Sequence, residues 1–363
     1  MPSPQIEMAA AEPDQRLTEQ WCRPRKAIRV AAFTGGKWAP SRLRVQQYVQ
    51  PLQRMGISIA EFESRAGLYP PNAKWSRPAW GIWNLMDHVP TVLQSHKFDV
   101  TLLQREMLST FVTLEPFTKR PRVLDVDDAI WNHRRGDFAR RLASMCDHVI
   151  CGNQFLAERF SAWNPRVSVL PTPVDANRFR PMPSCGPSSN LIVGWLGLSS
   201  GFRFLYGIEN ALSKLLQLRP DVSLRIVSDR PPSFSQIPAG RVQFIQYDRE
   251  NEVSQIQEMT VGIMPIDDSE WSRGKCSFKM LLYMACGIPV VVSPFGMNAE
   301  VLALGNVGFG ATSNDWLEAL QALLDDERLR FKMGLEGRRV ILEHYSVEVL
   351  APKLGEILSS AAS

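Results

Sequence analysis

The stretch Phe278–Ser293, FKMLLYMACGIPVVVS, changes its hydrophobic period once and therefore reads as a helix followed directly by a strand. Phe278, Leu281, Leu282 and Ala285 recur at helical spacing and make one face fit for burial. After Gly287-Ile288, the run Pro289–Ser293 is short and β-branched, as strands buried on both faces of a parallel sheet are. A helix that leads straight into such a strand is one step of a parallel α/β sheet, so the flanking sequence should repeat the pattern.

It does so throughout the sequence that precedes it. Towards the C-terminal half the strands read as Leu191–Leu196, Ser223–Ser228, Val242–Tyr247 and Val261–Pro265. Further towards the N-terminus they read as Ile28–Thr34, Ile57–Phe62, Asp99–Arg105, Arg122–Asp127, His148–Gly152 and Val167–Leu170. Between the first two, Arg42–Met55 carries Leu43, Val45, Tyr48, Val49 and Leu52 near helical spacing, and Gly56 closes it. The Pro-, Ser- and Gly-rich run Pro181–Ser189 separates two such series and reads as a linker. From Asp315 to Leu358 the pattern is helical: one helix around Trp316–Leu324, and a second over Leu329–Glu343 interrupted at Gly334 and Gly337. The expected organisation is a flexible segment 1–26, a Rossmann-like domain 27–180, a linker 181–189, a second such domain 190–342, and a C-terminal helix 343–363 able to pack back on the first domain.

Composition narrows the function. The 363 residues are 45% hydrophobic and 21% charged, ordinary for packed domains, and 41 basic against 37 acidic residues leave a net charge of +4. That excess is too small for a nucleic-acid footprint. No apolar run approaches the ~18 residues of a spanning helix, and the proline-broken first 26 residues contain no signal-peptide core. The six cysteines form no CxxC pair and the five histidines no ligand motif, so no metal site is expected and a reduced, cytoplasmic setting fits.

Chemistry is expected where strands of an open parallel sheet end and helices begin. Thr34-Gly35-Gly36-Lys37 and Gly197-Leu198-Ser199-Ser200-Gly201-Phe202-Arg203 occupy such loops; neither is a dinucleotide fingerprint or a P-loop. Ahead of the opening helix lies Trp271-Ser272-Arg273-Gly274-Lys275-Cys276-Ser277. Arg273, Lys275 and Lys279 gather three cations at a helix N-terminus with Ser277 available as its cap, a cradle for a diphosphate or simply a solvated basic turn. Asp127 and Asp128 end a strand at cleft level, where they can serve as a base, hold an acceptor hydroxyl, or cap the next helix.

Taken in order, these pieces resemble the family 4 (group 1) glycosyltransferases of the GT-B fold, in the branch associated with surface polysaccharide assembly. The resemblance rests on Lys275–Val292 with Gly296-Met297-Asn298-Ala299-Glu300, on Pro171-Thr172-Pro173-Val174-Asp175, on Gly194-Trp195-Leu196-Gly197, on Asp127-Asp128-Ala129-Ile130, and on the tail from Asp315-Trp316 to Tyr345-Ser346. It spans roughly residues 27–360. It implies an α/β protein of two facing Rossmann-like doubly wound parallel-sheet domains with a helical C-terminal tail, the first (27–180) on the acceptor side and the second (190–342) holding the nucleotide-sugar donor. It also implies a retaining transfer of sugar, without metal or other cofactor, from a nucleotide diphosphate sugar to a saccharide or lipid-linked acceptor. Residue by residue, it assigns Ser199, Ser200, Arg203, Arg273, Lys275, Ser277 and Lys279 to the diphosphate, Gly35 and Gly36 to the glycine loop opposite, and Asn298 and Glu300 to the sugar or its phosphate.

One departure stands out. The commoner family pattern has two glutamates eight apart, and counting back from Gly287 places them at Gly274 and Leu282. The second usually holds the ribose, so the nucleoside must be gripped differently here, with Glu270 a possible carboxylate and Leu282 equally at home in a core. The absence keeps two other readings open: a GT-B-like epimerase or hydrolase, and a catalytically silent nucleotide-sugar-binding scaffold. Several residues have plainer roles to weigh. Asp175 fits a turn cap, Glu300 a helix cap, His133 a surface position or an acceptor-side base, and Arg105 a partner for Glu106 or a nearby acid. Trp75, Trp80 and Trp83 fit loop anchors or a sugar or lipid platform. Peripheral contact at the inner face of the membrane remains open.

Overall fold

The computed structural model describes residues 27–35, 41–65, 67, 70–132, 136–182, 190–313 and 315–363. The expected flexible segment 1–26, most of the linker (183–189), Gly36 and His133 lie outside them.

The first half builds a six-stranded sheet in the order β2-β1-β3-β4-β5-β6, every pair parallel. Its strands are β1 Ile28–Thr34, β2 Ile57–Glu63, β3 Val100–Gln104, β4 Arg122–Val126, β5 His148–Cys151 and β6 Val167–Val169. β3 and β4 are buried along their whole length, so neither alternates between apolar and polar residues, and the buried charges of β4 are paired, Arg122 with Thr118 and Asp125 with Arg44. The second half repeats the architecture as β12-β11-β10-β7-β8-β9. Here β7 is Leu191–Leu196, β8 Val222–Ser228, β9 Val242–Gln246, β10 Val261–Met264, β11 Val290–Val292 and β12 Gly308–Gly310. The chain starts in the middle, at β7, and winds outwards in both directions, so strand order reverses between β7 and β10. That reversal opens a crevice beyond their carboxyl ends.

Helices follow from the same patterning. α1 (Gln47–Arg54) continues a π-helical turn over Arg42–Gln46, and Gly56 takes φ +81° at its end. α2 (Arg77–Ser95) fills the crossover from β2 to β3, although prolines obscure it in the sequence: Pro78 sits in the first turn, where no hydrogen bond is lost, and Pro90 lies inside. The chain closes with α3 (Val347–Ala362), whose Leu350, Ala351, Leu354 and Leu358 join Tyr48 and Leu52 in the core of the first sheet. The C-terminus thus crosses back and is sealed against the opposite half.

Two expectations need correction. Gly334 and Gly337 do not interrupt their helix, which runs unbroken over Glu327–Val340. A Cβ at Gly334 would lie 2.1 Å from the Gly287 carbonyl oxygen, and one at Gly337 3.2 Å from the Met284 side chain. The glycines let two helices touch; they break neither. The strand β12 was not anticipated, because its three residues contain two glycines and no period shows through them.

Candidate active site

Tyr283 sets the geometry. It lies in the helix Phe278–Ala285, its ring packs on Gly262 of β10, where a Cβ would fall 2.4 Å from it, and its hydroxyl accepts the Leu196 amide of β7 at 2.8 Å. The helix is thereby fixed across the two strands that flank the topological reversal. One turn earlier Lys279 reaches the crevice, with its Nζ 4.1 Å from the Trp195 ring centroid. Gly197 makes the room: a Cβ there would meet Lys279 Nζ at 2.2 Å. Burial, and then Lys275, depress the Lys279 ammonium to a pKa of about 7.

The crevice is a cavity of about 730 Å3, lined from the β7 side by Leu198, Ser200, Gly201, Arg203 and Phe204. From the β10 side it is lined by Met264, Pro265, Ile266, Asp267, Ser269 and Trp271, and Lys275, Lys279 and Asn132 complete it. Arg203 stacks 4.5 Å over Phe204 and stands 3.9 Å from Asp267. Burial raises the Asp267 carboxyl, but hydrogen bonds from Ser269 and Ser272 outweigh it and hold the group below its ordinary value. Lys275 lies ahead of the helix, which begins only at Phe278, with its Nζ 5.1 Å from the Trp271 ring.

Of the sequence-derived donor residues, Ser200, Arg203, Lys275 and Lys279 line this cavity together. Ser199 is committed elsewhere: its amide and hydroxyl both donate to Asp229, at 2.5 and 2.8 Å. Arg273 turns outward to Asp268, at 2.6 and 2.8 Å. Ser277 does not cap its helix. It adopts φ +49° and donates to Asn298 Oδ1 at 2.6 Å, while Asn298 donates to the Ser293 carbonyl at 2.9 Å. These two tie the loop after β11 to the cation-bearing turn. Glu300, on the helix Met297–Leu302, is raised by partial burial and by Glu158 of the first half. Gly35 follows β1 at the carboxyl edge of the first sheet.

Asp127 and Asp128 follow β4 on the facing side. Asp127 Oδ1 is buried without a hydrogen-bond partner. Burial and the neighbouring Asp127 push Asp128 up to a pKa of about 6, with Lys275 and Arg105 opposing. Arg105, at φ +64°, lies 3.7 Å from Glu106 and 3.8 Å from Asp128. Both contacts agree with the sequence expectation that Arg105 pairs with Glu106 or a nearby acid.

The halves meet along the turn that carries the cations. Asn153 Nδ2 donates to the carbonyls of Arg273 and Lys275, both at 3.0 Å, and Cys276 Sγ donates to the Asp127 carbonyl at 3.2 Å. Glu270 accepts from Trp131 Nε1 and Arg159 Nη2, both at 3.3 Å, so it ties the halves together. Gly274 explains one missing glutamate: a Cβ there would lie 2.7 Å from Ala129 Cβ and 2.9 Å from its amide nitrogen. Leu282, at the other glutamate position, is core. The variant Gly274→Glu should therefore wedge the halves apart. It is expected to cost about 1–3 kcal/mol, seen as a lower urea midpoint with a larger radius of gyration by X-ray scattering. Unchanged scattering would remove Gly274 from the interface argument.

Residues 191–326 match the family model for glycosyl transferases group 1. No curated protein matches the chain. Among solved structures, HepE from Anabaena in complex with UDP and glucose is 16% identical, with a TM-score of 0.68 over 92% of this chain and 100% of its own. Sucrose-phosphate synthase from Thermosynechococcus elongatus is 16% identical, with a TM-score of 0.69 over 93% and 100%. WaaG, a glycosyltransferase involved in lipopolysaccharide biosynthesis, is 13% identical, with a TM-score of 0.63 over 91% and 99%. The whole chain has the GT-B fold, and the matched segment supplies both lysines and every residue lining the cavity except Asn132. Among the described residues no group of three or more His, Cys, Asp or Glu could hold a metal ion, and no helix is long and apolar enough to cross a membrane.

Proposed function

We propose that the protein is a retaining glycosyltransferase, which moves a sugar from a nucleoside diphosphate sugar to a saccharide or lipid-linked acceptor. The observation that carries this reading is Lys279, a cation held in an apolar recess at the topological reversal within the segment that matches the group 1 model, with Lys275 beside it. Breaking the bond between sugar and diphosphate loads charge onto the leaving phosphate. Preorganised cations in a poorly hydrated site stabilise that charge far more than water does. Uridine is the favoured base, since HepE was crystallised with UDP-glucose and an α-glucosyltransferase of the same fold with UDP.

The facing carboxylates suit the acceptor. Asp127 brings an unpartnered oxygen, and Asp128, with a pKa near 6, is largely ionised at neutral pH yet basic enough to accept a hydrogen bond from an attacking hydroxyl. With Glu106 and Arg105 they make the polar wall of the first half. Asp267 is the carboxylate nearest to hand for donor hydroxyls, in place of the family's glutamate.

A thermal-shift screen against nucleoside diphosphates and their sugars tests this directly. At about 100 times its dissociation constant a ligand bound only by the folded state adds about 2.7 kcal/mol, so one nucleotide should raise the melting temperature clearly. With that donor, release of nucleoside diphosphate should then depend on added acceptor. No shift with any nucleotide would leave the scaffold reading without its ligand and the transferase without its donor. Release without acceptor would mark a hydrolase.

A further inference from the structure

The helix α2 is amphipathic in the reverse of the usual sense. Its inward face carries Asn84, His88 and Ser95 beside Val92, and its outward face carries Ile82, Met86, Val89 and Leu93 at successive turns, with Trp83 alongside. The polar residues are used inside: Asn84 donates to the Gly67 carbonyl at 2.8 Å, and Ser95 accepts the Lys119 amide at 2.9 Å. The apolar ones stand in water, Ile82, Met86 and Leu93 at 62%, 67% and 66% exposure. Trp75, in the turn before the helix, is 86% exposed, and Phe117, whose carbonyl meets His96 at 3.0 Å, extends the patch at the far end. A contiguous apolar strip of this kind marks an interaction surface.

Its charge and place identify the partner. Lys74 and Arg77 flank the strip at one end, and Lys97 and Lys119 at the other, whereas the helix's one acid, Asp87, is occupied by the Arg65 amide at 2.7 Å. Apolar and indole side chains rimmed by cations match the boundary between acyl chains and anionic headgroups. The His88 ring lies 6.4 Å from Phe33 near the end of β1, so the turns before it project past the carboxyl edge of the first sheet. Trp75, Ile82 and Trp83 therefore stand at the rim of the cleft, on the side of the proposed acceptor.

We propose that the outward face of α2 docks this protein onto an anionic bilayer and so holds the acceptor side of the cleft at the lipid surface. Flotation of the full chain with vesicles tests it. The protein should float with an equal mixture of phosphatidylcholine and phosphatidylglycerol and stay behind with phosphatidylcholine alone. Trp83→Ser/Met86→Ser should cut the floating fraction about tenfold, as should Lys74→Glu/Arg77→Glu. Both should melt as wild type does, because the altered side chains are exposed. Failure of the wild type to float, or equal flotation of the variants, overturns the proposal. So does a wild-type dimer in sedimentation velocity that the Trp83/Met86 variant loses, since the face would then belong to a second copy. No sugar enters the assay, so its failure leaves the transfer reading standing.

Discussion

Replacing Lys279 with alanine should lower kcat by about 100- to 1000-fold, the loss seen when one preorganised partner of a developing anion is removed. The structure isolates the effect well. The ammonium sits 4.1 Å over the Trp195 ring, in space that Gly197 leaves open, so Lys279→Met should fill the same recess without the charge and lose as much activity as alanine. The pH dependence has a definite sign. Burial and then Lys275 lower the free-state pKa to about 7, and a bound diphosphate must raise it. Donor binding therefore takes up a proton once the pH exceeds about 7, and affinity falls as pH rises from there towards the pKa of the bound state. Calorimetry with a non-transferable nucleotide-sugar, run at pH 8 in buffers of different ionisation enthalpy, should register this uptake in wild type and none in Lys279→Ala. On the acid side Asp128 must lose its proton near pH 6, so kcat/KM should rise through that range and fall again above 7. A pH-independent donor affinity would remove Lys279 from the diphosphate.

Much of this arrangement was legible in the sequence because the signals were local. Strands β1 and β7 read correctly to the residue, since an apolar β-branched run bounded by polar turns has few other uses. Lys275 and Lys279 read as partners in one cradle, and the structure brings them to the cavity by different routes: Lys279 reaches it from the first turn of the helix that Tyr283 anchors, and Lys275 approaches from the loop. What stayed hidden depended on distant partners. Nothing near Ser199 announces that Asp229 will take both its amide and its hydroxyl. Asn153, which fixes the cation-bearing turn from the other half through two carbonyls, looks in sequence like an ordinary helix cap, and it is one as well. Gly274 reads as a gap in a family pattern until Ala129 is seen against it. The reversed helix α2 was missed for a related reason: its period is plain only once the face that points inward is known.

The replacement Arg44→Met should destabilise the protein by about 3–5 kcal/mol, because it would strand a buried carboxylate. Arg44 and Asp125 are both buried beneath the carboxyl edge of the first sheet. The guanidinium donates to Asp125 through Nε at 3.0 Å and through Nη2, while Nη1 donates to the Leu170 carbonyl at 2.8 Å. Taking out one partner removes the attraction but leaves the desolvation of the other, whereas removing both leaves only the packing to make good. Arg44→Met/Asp125→Leu should therefore recover most of the lost stability in thermal melts. It should not recover all of it, since the Leu170 carbonyl still loses its donor, an unmet buried acceptor worth about 1–3 kcal/mol. Function adds a second reading of the same pair. Leu170 and Thr172 begin the crossing to the second half, and Val174 exchanges amide hydrogen bonds with the returning tail at Tyr345 and Val347. Arg44 thus fixes the start of the segment that joins the two halves. If the double variant folds but transfers sugar more slowly at saturating donor, the pair positions the cleft. If it transfers at the wild-type rate, the ion pair serves stability alone.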